Sequence, residues 1–164
     1  MAKAFARVFK YGDNIDTDVI IPTRFLNTGD PAQLGKNCFA DYDPAFVRDV
    51  RPGDIIVAGE NFGCGSSREQ APVAIKANGV AMVVAKSFAR IFFRNAVNLG
   101  LTIVESKTAA DIFDYGDTVE VDMAAGKLTR ADGAAAAFTP VGEAMREIIA
   151  AGGLINYINS KRAR

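Results

Sequence analysis

The stretch IIVAGENFGCGSSREQ, residues 55–70, joins a short apolar strand to a helix through a glycine-rich loop. The helix is predicted from Ser67 to about Ala77 and ends at Asn-Gly, as left-handed caps do. The next run, VAMVVA at 80–85, is apolar on both faces and predicts a strand buried between layers. A second helix from Phe88 to Leu99, with Gly100 as its terminator, and a strand from Leu101 to Val104 follow. This β-α-β-α-β series predicts a parallel sheet covered by helices.

The flanking segments extend the same α/β pattern. Residues 4–9 read as a strand, and Pro31 to Cys38 as a helix with Asp30 as its cap. Asp43 and Pro44 have the same pattern of a cap followed by proline, which predicts a further turn of helix. A hairpin is expected from 117–122 and 127–130, followed by a helix at 141–151. We expect one domain, residues 1–164, with a mostly parallel sheet core flanked by helices, plus a C-terminal hairpin and helices.

Composition narrows the possible partners. The chain has 164 residues, 49% of them hydrophobic and 23% charged, which is typical of a single globular domain. Nineteen basic residues balance nineteen acidic ones, so no general field favours nucleic acid or an anionic membrane. No apolar run reaches the roughly 20 residues of a membrane helix, and the start MAKAFARVFK is unlike a signal peptide. We therefore expect a cytoplasmic protein with neither partner.

Two absences limit the chemistry. Histidine is missing, which removes the commonest general base and most transition-metal sites. The only cysteines are Cys38 and Cys64, whereas a cluster or structural zinc normally takes three or four thiolate or imidazole ligands. We expect no metal site within this chain and two free thiols.

The loop GCGSSRE, residues 63–69, is the candidate site. Its glycines permit positive φ angles, the following helix start has unpaired amides, and Arg68 offers a planar cationic fork suited to a carboxylate. The alternative is ordinary capping, because Ser66 with Glu69 and Ser67 with Gln70 both match the capping-box pattern. Spacing alone leaves these two interpretations equal.

Known glycine-rich motifs do not fit this loop. A dinucleotide fingerprint would need glycine in place of Arg68, and a nucleophile elbow around Ser67 would need glycine in place of Glu69. A P-loop would need Gly-Lys-Ser/Thr. Cys64 has no histidine to activate it, which argues against cysteine protease chemistry.

Three motifs together carry a family resemblance. GDNIDTDVIIP (12–22), GENFGCGSSRE (59–69) and SFARIFFRNAVNLGL (87–101) resemble those of the small subunits of the 3-isopropylmalate dehydratase family, in the aconitase superfamily. The resemblance implies a swivelling domain that closes over a large partner subunit, whose three cysteines hold a [4Fe-4S] cluster. The implied reaction moves a hydroxyl between neighbouring carbons of a malate derivative through an alkene.

The same resemblance implies residue roles. Ser66 is the general base, Ser67 and Arg68 bind a substrate carboxylate, and Arg24 is a second carboxylate-binding arginine. The implied substrate is isopropylmalate, in leucine biosynthesis, with Phe25 and Leu26 beside its branched alkyl group. Small subunits for 2,3-dimethylmalate, citramalate or homoaconitate remain open, as does a non-catalytic anion-binding module.

Other charged and apolar positions have two interpretations. Asp16 and Asp18 either form turns or orient the site. Lys86, Arg90 and Arg94 recur every four residues, which predicts a surface-facing positive stripe or an anion site on one helix. Four apolar residues recur at helical spacing and are predicted to pack in the core: Phe88, Ile91, Phe92 and Phe93.

Overall fold

The computed structural model describes residues 4–164 and contains seven strands and eight α-helices in that range. In chain order these are β1 (Ala4–Lys10), α1 (Thr17–Ile20), a 3-10 turn (Thr23–Phe25), α2 (Pro31–Lys36), α3 (Phe46–Asp49), β2 (Ile55–Ala58), α4 (Gln70–Ala77), β3 (Met82–Ala85), α5 (Arg90–Leu99), β4 (Ile103–Glu105), α6 (Ala109–Ile112), β5 (Thr118–Asp122), β6 (Lys127–Arg130), β7 (Ala135–Ala137), α7 (Glu143–Ala150) and α8 (Leu154–Arg162). No helix within residues 4–164 has the length and apolar character needed to cross a membrane.

All seven strands form one sheet in the order β4-β3-β2-β1-β5-β6-β7. The first four strands of the chain pair in parallel, and Phe9, Ile56, Val83 and Ile103 align across them in one row. From β1 outward, β5, β6 and β7 pair antiparallel. The α/β class, the parallel core and the C-terminal hairpin are therefore confirmed. Strand β7 was not predicted, because three alanines carry little strand preference.

Alternating side chains of the parallel strands fill a core on each face of the sheet. Ile56 and Ala58 join the cluster under α2, α4 and α5, whereas Ile55 and Val57 join the cluster on the opposite face with α6. Strands β2 and β3 are completely buried, as expected for parallel strands between layers. Each large side chain buried in this way contributes about 1.5–3 kcal/mol of transfer free energy.

Helix ends show which local signals hold. Asp30 caps α2 by accepting a hydrogen bond from the Ala32 N–H at 3.2 Å, and Gly100 ends α5 with a φ of 81°, so both predictions are confirmed. The predicted cap at Asp43 is wrong, since α3 begins at Phe46 without a side-chain cap. The Asp43 carboxylate instead accepts hydrogen bonds from the Tyr11 and Tyr115 hydroxyls, at 2.9 and 2.8 Å.

Candidate functional site

The three sequence motifs follow three neighbouring parallel strands. Segment 12–22 follows β1, segment 59–69 follows β2, and segment 87–101 follows β3. Because the carboxyl ends of parallel strands lie at one edge of the sheet, segments far apart in sequence meet there. Ligands of open α/β sheets bind at this edge.

Backbone hydrogen bonds join the first two segments along their length. The Asn14 N–H donates to Glu60 O at 2.8 Å, and the Gly63 N–H donates to Ile15 O at 2.7 Å. Thr17 is buried and makes two such contacts: its N–H donates to Cys64 O at 2.9 Å, and its hydroxyl donates to Ser66 O at 2.8 Å. Thr17 thus holds the loop of residues 63–69, called the serine loop below, in place. Sequence reasoning missed this role.

The third segment is attached to the second in the same way. The Phe62 N–H donates to Ser87 O at 3.0 Å, and the Ala89 N–H donates back to Phe62 O at 2.9 Å. Ser87 also accepts a hydrogen bond at its hydroxyl from the Asn61 N–H, at 2.8 Å. The start of α5 is therefore fixed beside the serine loop.

Glycine is required at the base of this loop. Gly63 has a φ of 81°, and a Cβ atom there would lie 2.6 Å from Phe92 Cδ2 and closer still to Phe92 Cβ and Cγ. Gly65 has a φ of 89°. L-residues with a side chain rarely adopt this conformation, so the two glycines shape the turn that presents the serines.

The serines do not cap a helix, so the capping interpretation is wrong here. Helix α4 begins at Gln70, and its N-cap position, Glu69, makes no side-chain capping bond. Ser66 and Ser67 are exposed, and within residues 4–164 neither hydroxyl has a hydrogen-bond partner. Both hydroxyls are thus free to contact a ligand.

Arg68 is held against the first segment. Its guanidinium donates to Asp18 Oδ1 at 3.3 Å and to the Thr23 hydroxyl at 3.2 Å, and its side chain is only 18% exposed. Hydrogen bonds from Thr23, and then that from Arg68, lower the pKa of Asp18 below its usual value, which keeps this carboxylate charged. Asp18 therefore orients Arg68, whereas Asp16 accepts from the Val19 N–H and caps α1.

A cavity of about 190 Å³ opens beside the loop. Its lining brings together Thr17, Gly63, Gly65, Ser66, Ser67, Arg68, Ala89, Arg90, Ile91, Phe92 and Asn95. The structure thus places three predicted site residues around one space. Sequence reasoning missed Asn95 as a lining residue, although it lies in the third motif. Ile91 was predicted to pack in the core, but it is 43% exposed at the cavity.

Arg24 lies outside this cavity lining. Both of its terminal nitrogens donate to the Asp41 carboxylate at 2.6 Å, and its guanidinium stacks over the Phe25 ring. Phe25 and Leu26 are partly buried against the core, and neither lines the cavity beside Ser66. The structure therefore does not bring this segment together with the serines.

The predicted stripe of three cations is absent. Lys86 precedes α5 and pairs with Asp111 at 2.9 Å, while Arg94 is exposed away from the cavity. Of these three cations, only Arg90, the first residue of α5, lines the cavity. The every-four-residue spacing failed because the helix begins after Lys86.

No cluster of His, Cys, Asp or Glu suited to a metal ion occurs within residues 4–164. Both cysteines are free, as expected: Cys38 is fully buried and Cys64 is partly exposed. Burial raises the pKa of both thiols, and the Asp16 carboxylate adds to this at Cys64. The donor set does not fit an iron-sulfur cluster, which needs several accessible thiolates.

The arrangement suits an anionic ligand. Two guanidinium groups and two free hydroxyls line one cavity. The N–H groups from Ser66 to Gln70 also lack acceptors within the described residues. Such groups bind carboxylates and stabilise negative charge that develops nearby.

The chain is similar to known proteins over nearly all of its length. Residues 6–109 match the model of the aconitase C-terminal domain family. The chain is 55% identical to the 3-isopropylmalate dehydratase small subunit of Caldanaerobacter subterraneus, covering 94% of this chain and 97% of that protein. It is also 55% identical to the 2,3-dimethylmalate dehydratase small subunit of Eubacterium barkeri, covering 96% and 98%. A crystal structure of 3-isopropylmalate dehydratase from Methanocaldococcus jannaschii superposes with a TM-score of 0.92 at 45% identity, covering 99% and 96%.

Proposed function

The chain belongs to the aconitase C-terminal domain family, among its 3-isopropylmalate dehydratase small subunits, and we propose that it interconverts 2- and 3-isopropylmalate together with a large subunit. The reaction is a dehydration followed by a rehydration, and the enzyme is a hydro-lyase of leucine biosynthesis. We propose that the whole chain moves as one swivelling domain in the cytoplasm. The full-length similarity to small subunits supports this assignment.

The large subunit is proposed to carry the [4Fe-4S] cluster. This chain does not offer the ligands, since within residues 4–164 no three candidate donors are grouped and only two cysteines occur in the sequence. Its contribution is therefore the serine loop and the cations beside it. The chain is expected to be inactive alone.

One observation supports this division of roles between the two subunits: Ser66, Ser67 and Arg68 line the same cavity. Arg68, oriented by Asp18 and Thr23, is proposed to bind a substrate carboxylate together with the Ser67 hydroxyl. Ser66 is proposed as the base that removes the proton from the carbon next to a carboxylate. The proton passes to Ser66 Oγ while electron density moves toward the carboxylate that the cation binds.

A serine is a weak base in water, so its surroundings must favour its ionised form. Two groups here have that effect: the positive charges of Arg68 and Arg90, and the backbone N–H groups that lack internal acceptors. Both gain strength once closure removes water from the cavity. The Thr17 hydroxyl fixes the position of Ser66 by donating to the Ser66 carbonyl oxygen, so this geometry is present before substrate binds.

The test is co-expression with the large subunit and an assay under anaerobic conditions on a panel of 2-alkylmalates. We expect Ser66→Ala to lower kcat by about 100-fold or more, as loss of one preorganised catalytic group commonly does. Ser160→Ala is the matched control, because this exposed serine lies on α8 and its hydroxyl bonds only to Tyr157 O. Equal activity of both variants would remove Ser66 from the mechanism.

The substrate panel also tests the second candidate, 2,3-dimethylmalate, which the equally similar relative favours. An extra methylene in an apolar pocket discriminates by only about 1–3 kcal/mol. We expect the highest kcat/KM for isopropylmalate. A preference for 2,3-dimethylmalate would reassign the substrate but leave the role of the loop unchanged.

A further inference from the structure

Arg90 is an unpaired cation in the cavity that holds the serine loop. Its side chain lines the same space as Ser66 and Arg68, and it is exposed. Within residues 4–164 it makes no ion pair and no hydrogen bond through its guanidinium. Its charge is therefore available to a ligand.

The position of Arg90 is unfavourable for a residue without a ligand. It is the first residue of α5, where the helix dipole disfavours a positive charge, and the first turn contains no acidic residue that would compensate. By contrast, Lys86 has Asp111 as a partner, and Arg68 has Asp18. Arg90 is the cation at this cavity that lacks a carboxylate within the described residues.

A 2-alkylmalate carries two carboxylates, so one arginine neutralises only half of its charge. Arg24, the second cation implied by resemblance, is already satisfied by two hydrogen bonds at 2.6 Å to Asp41 and lies outside the cavity lining. We propose that Arg90 binds the second carboxylate of the substrate while Arg68 binds the one beside the proton that is removed. This inference rests on the proposed function and deepens it.

Arginines on two different segments also orient the substrate. Arg68 is fixed by the segment after β1, whereas Arg90 is fixed by the start of α5 after β3. Two cations on different segments hold a dicarboxylate at both ends, which fixes the carbon between them relative to Ser66. Arg90 is thus a substrate-binding residue that neither donates nor accepts the transferred proton.

The test uses the assembled two-subunit enzyme with Arg90→Gln, Arg90→Lys and Arg94→Gln. Arg94 is the matched control, since it is exposed one turn further along α5 and does not line the cavity. We expect Arg90→Gln to raise KM about 10- to 100-fold with a smaller change in kcat, because a charge-assisted hydrogen bond to substrate is lost. Arg90→Lys should recover part of this loss, and Arg94→Gln should match the wild type.

Inhibition constants give a readout that does not depend on turnover. Isopropylsuccinate, which lacks the hydroxyl, is compared with its two monoamides. For the wild type, amidation of the carboxylate that Arg90 binds should weaken inhibition about tenfold or more, and for Arg90→Gln the same amide should bind as well as the diacid. Equal losses in both enzymes would overturn the proposal.

Two further results separate this inference from the proposed function. A wild-type complex that turns over no 2-alkylmalate would refute the function itself. An active wild type with Arg90→Gln indistinguishable from Arg94→Gln would refute only the role of Arg90. Loss of subunit assembly in Arg90→Gln, measured by gel filtration, would also overturn it, because Arg90 would then bind the partner subunit.

Discussion

Replacing Gly63 by alanine tests whether close packing against α5 determines the shape of the serine loop. Two separate effects oppose a side chain at this position. The φ of 81° is unfavourable for any L-residue with a Cβ, at a cost of about 1–2 kcal/mol. The Cβ would also overlap the buried Phe92 side chain, and overpacking of this kind costs about 1–3 kcal/mol.

Together these effects predict a loss of about 2–5 kcal/mol in the free energy of unfolding for Gly63→Ala. The matched control is Gly116→Ala, because Gly116 has a φ of 89° but nothing within 4 Å of the position of a Cβ. The control should lose only about 1–2 kcal/mol. The difference between the two variants measures the contact with Phe92.

The assay is urea unfolding of the purified chain followed by circular dichroism, with m-values compared to confirm equal exposure of surface. In thermal scans the Gly63→Ala variant should melt roughly 4–20 °C lower than the wild type. Turnover of the assembled enzyme should also fall, since Ser66 lies three residues beyond the substituted position. Equal destabilisation by Gly63→Ala and Gly116→Ala would refute the reasoning.

Three further predictions concern charge and reactivity. Arg68→Lys should lower kcat/KM of the assembled enzyme by about 100-fold, since a lysine loses the planar fork; unchanged kinetics would contradict its role. The pKa of Asp117 is lowered by the Asp114 N–H and by Arg130, so this carboxylate stabilises the fold above about pH 4 and the gain is lost as pH falls further. Asp117→Asn should therefore flatten the acid limb of a stability–pH curve, and an unaltered limb would argue against the assignment. Iodoacetamide should modify Cys64 in the native chain, faster as pH rises, and Cys38 only after unfolding, because Cys38 is fully buried; equal labelling rates in mass spectra would contradict the packing.

Signals confined to neighbouring residues were readable from the sequence. The cap at Asp30 and the left-handed terminus at Gly100 depend on a few adjacent residues, and the structure has both. The buried strands were also readable, because parallel strands between layers are apolar on both faces. The order of elements through the parallel half followed from the same patterns.

Features that depend on residues far apart in the sequence could not be predicted from it. Asp43 resembles a helix cap, but two tyrosine hydroxyls, one of them 72 residues away, bind its carboxylate. Strand β7 forms because β6 pairs with it and the Ser106 hydroxyl donates to Ala137 O, not because alanine favours strands. Sequence alone could not supply these contacts.

The candidate site shows the same division. The motifs identified Ser66 and Arg68, but the partner of Arg68 is Asp18, 50 residues away. Ile91 has the spacing of a core residue, yet it lies on the cavity side of α5. Helical spacing identifies a face, whereas only the packed structure shows what that face meets.

The hydrogen bonds that join residues 12–17, 59–66 and 87–89 have a consequence for protein engineering. The middle segment, 59–66, accepts or donates side-chain hydrogen bonds with both of the others, through Asp13, Thr17 and Ser87, so a substrate-specific version of one segment introduced from a relative would meet unmatched neighbours. Chimeras that exchange all three segments together should keep their activity more often than single-segment chimeras. A designer who wishes to alter substrate preference should therefore treat the three segments as one transferable cassette.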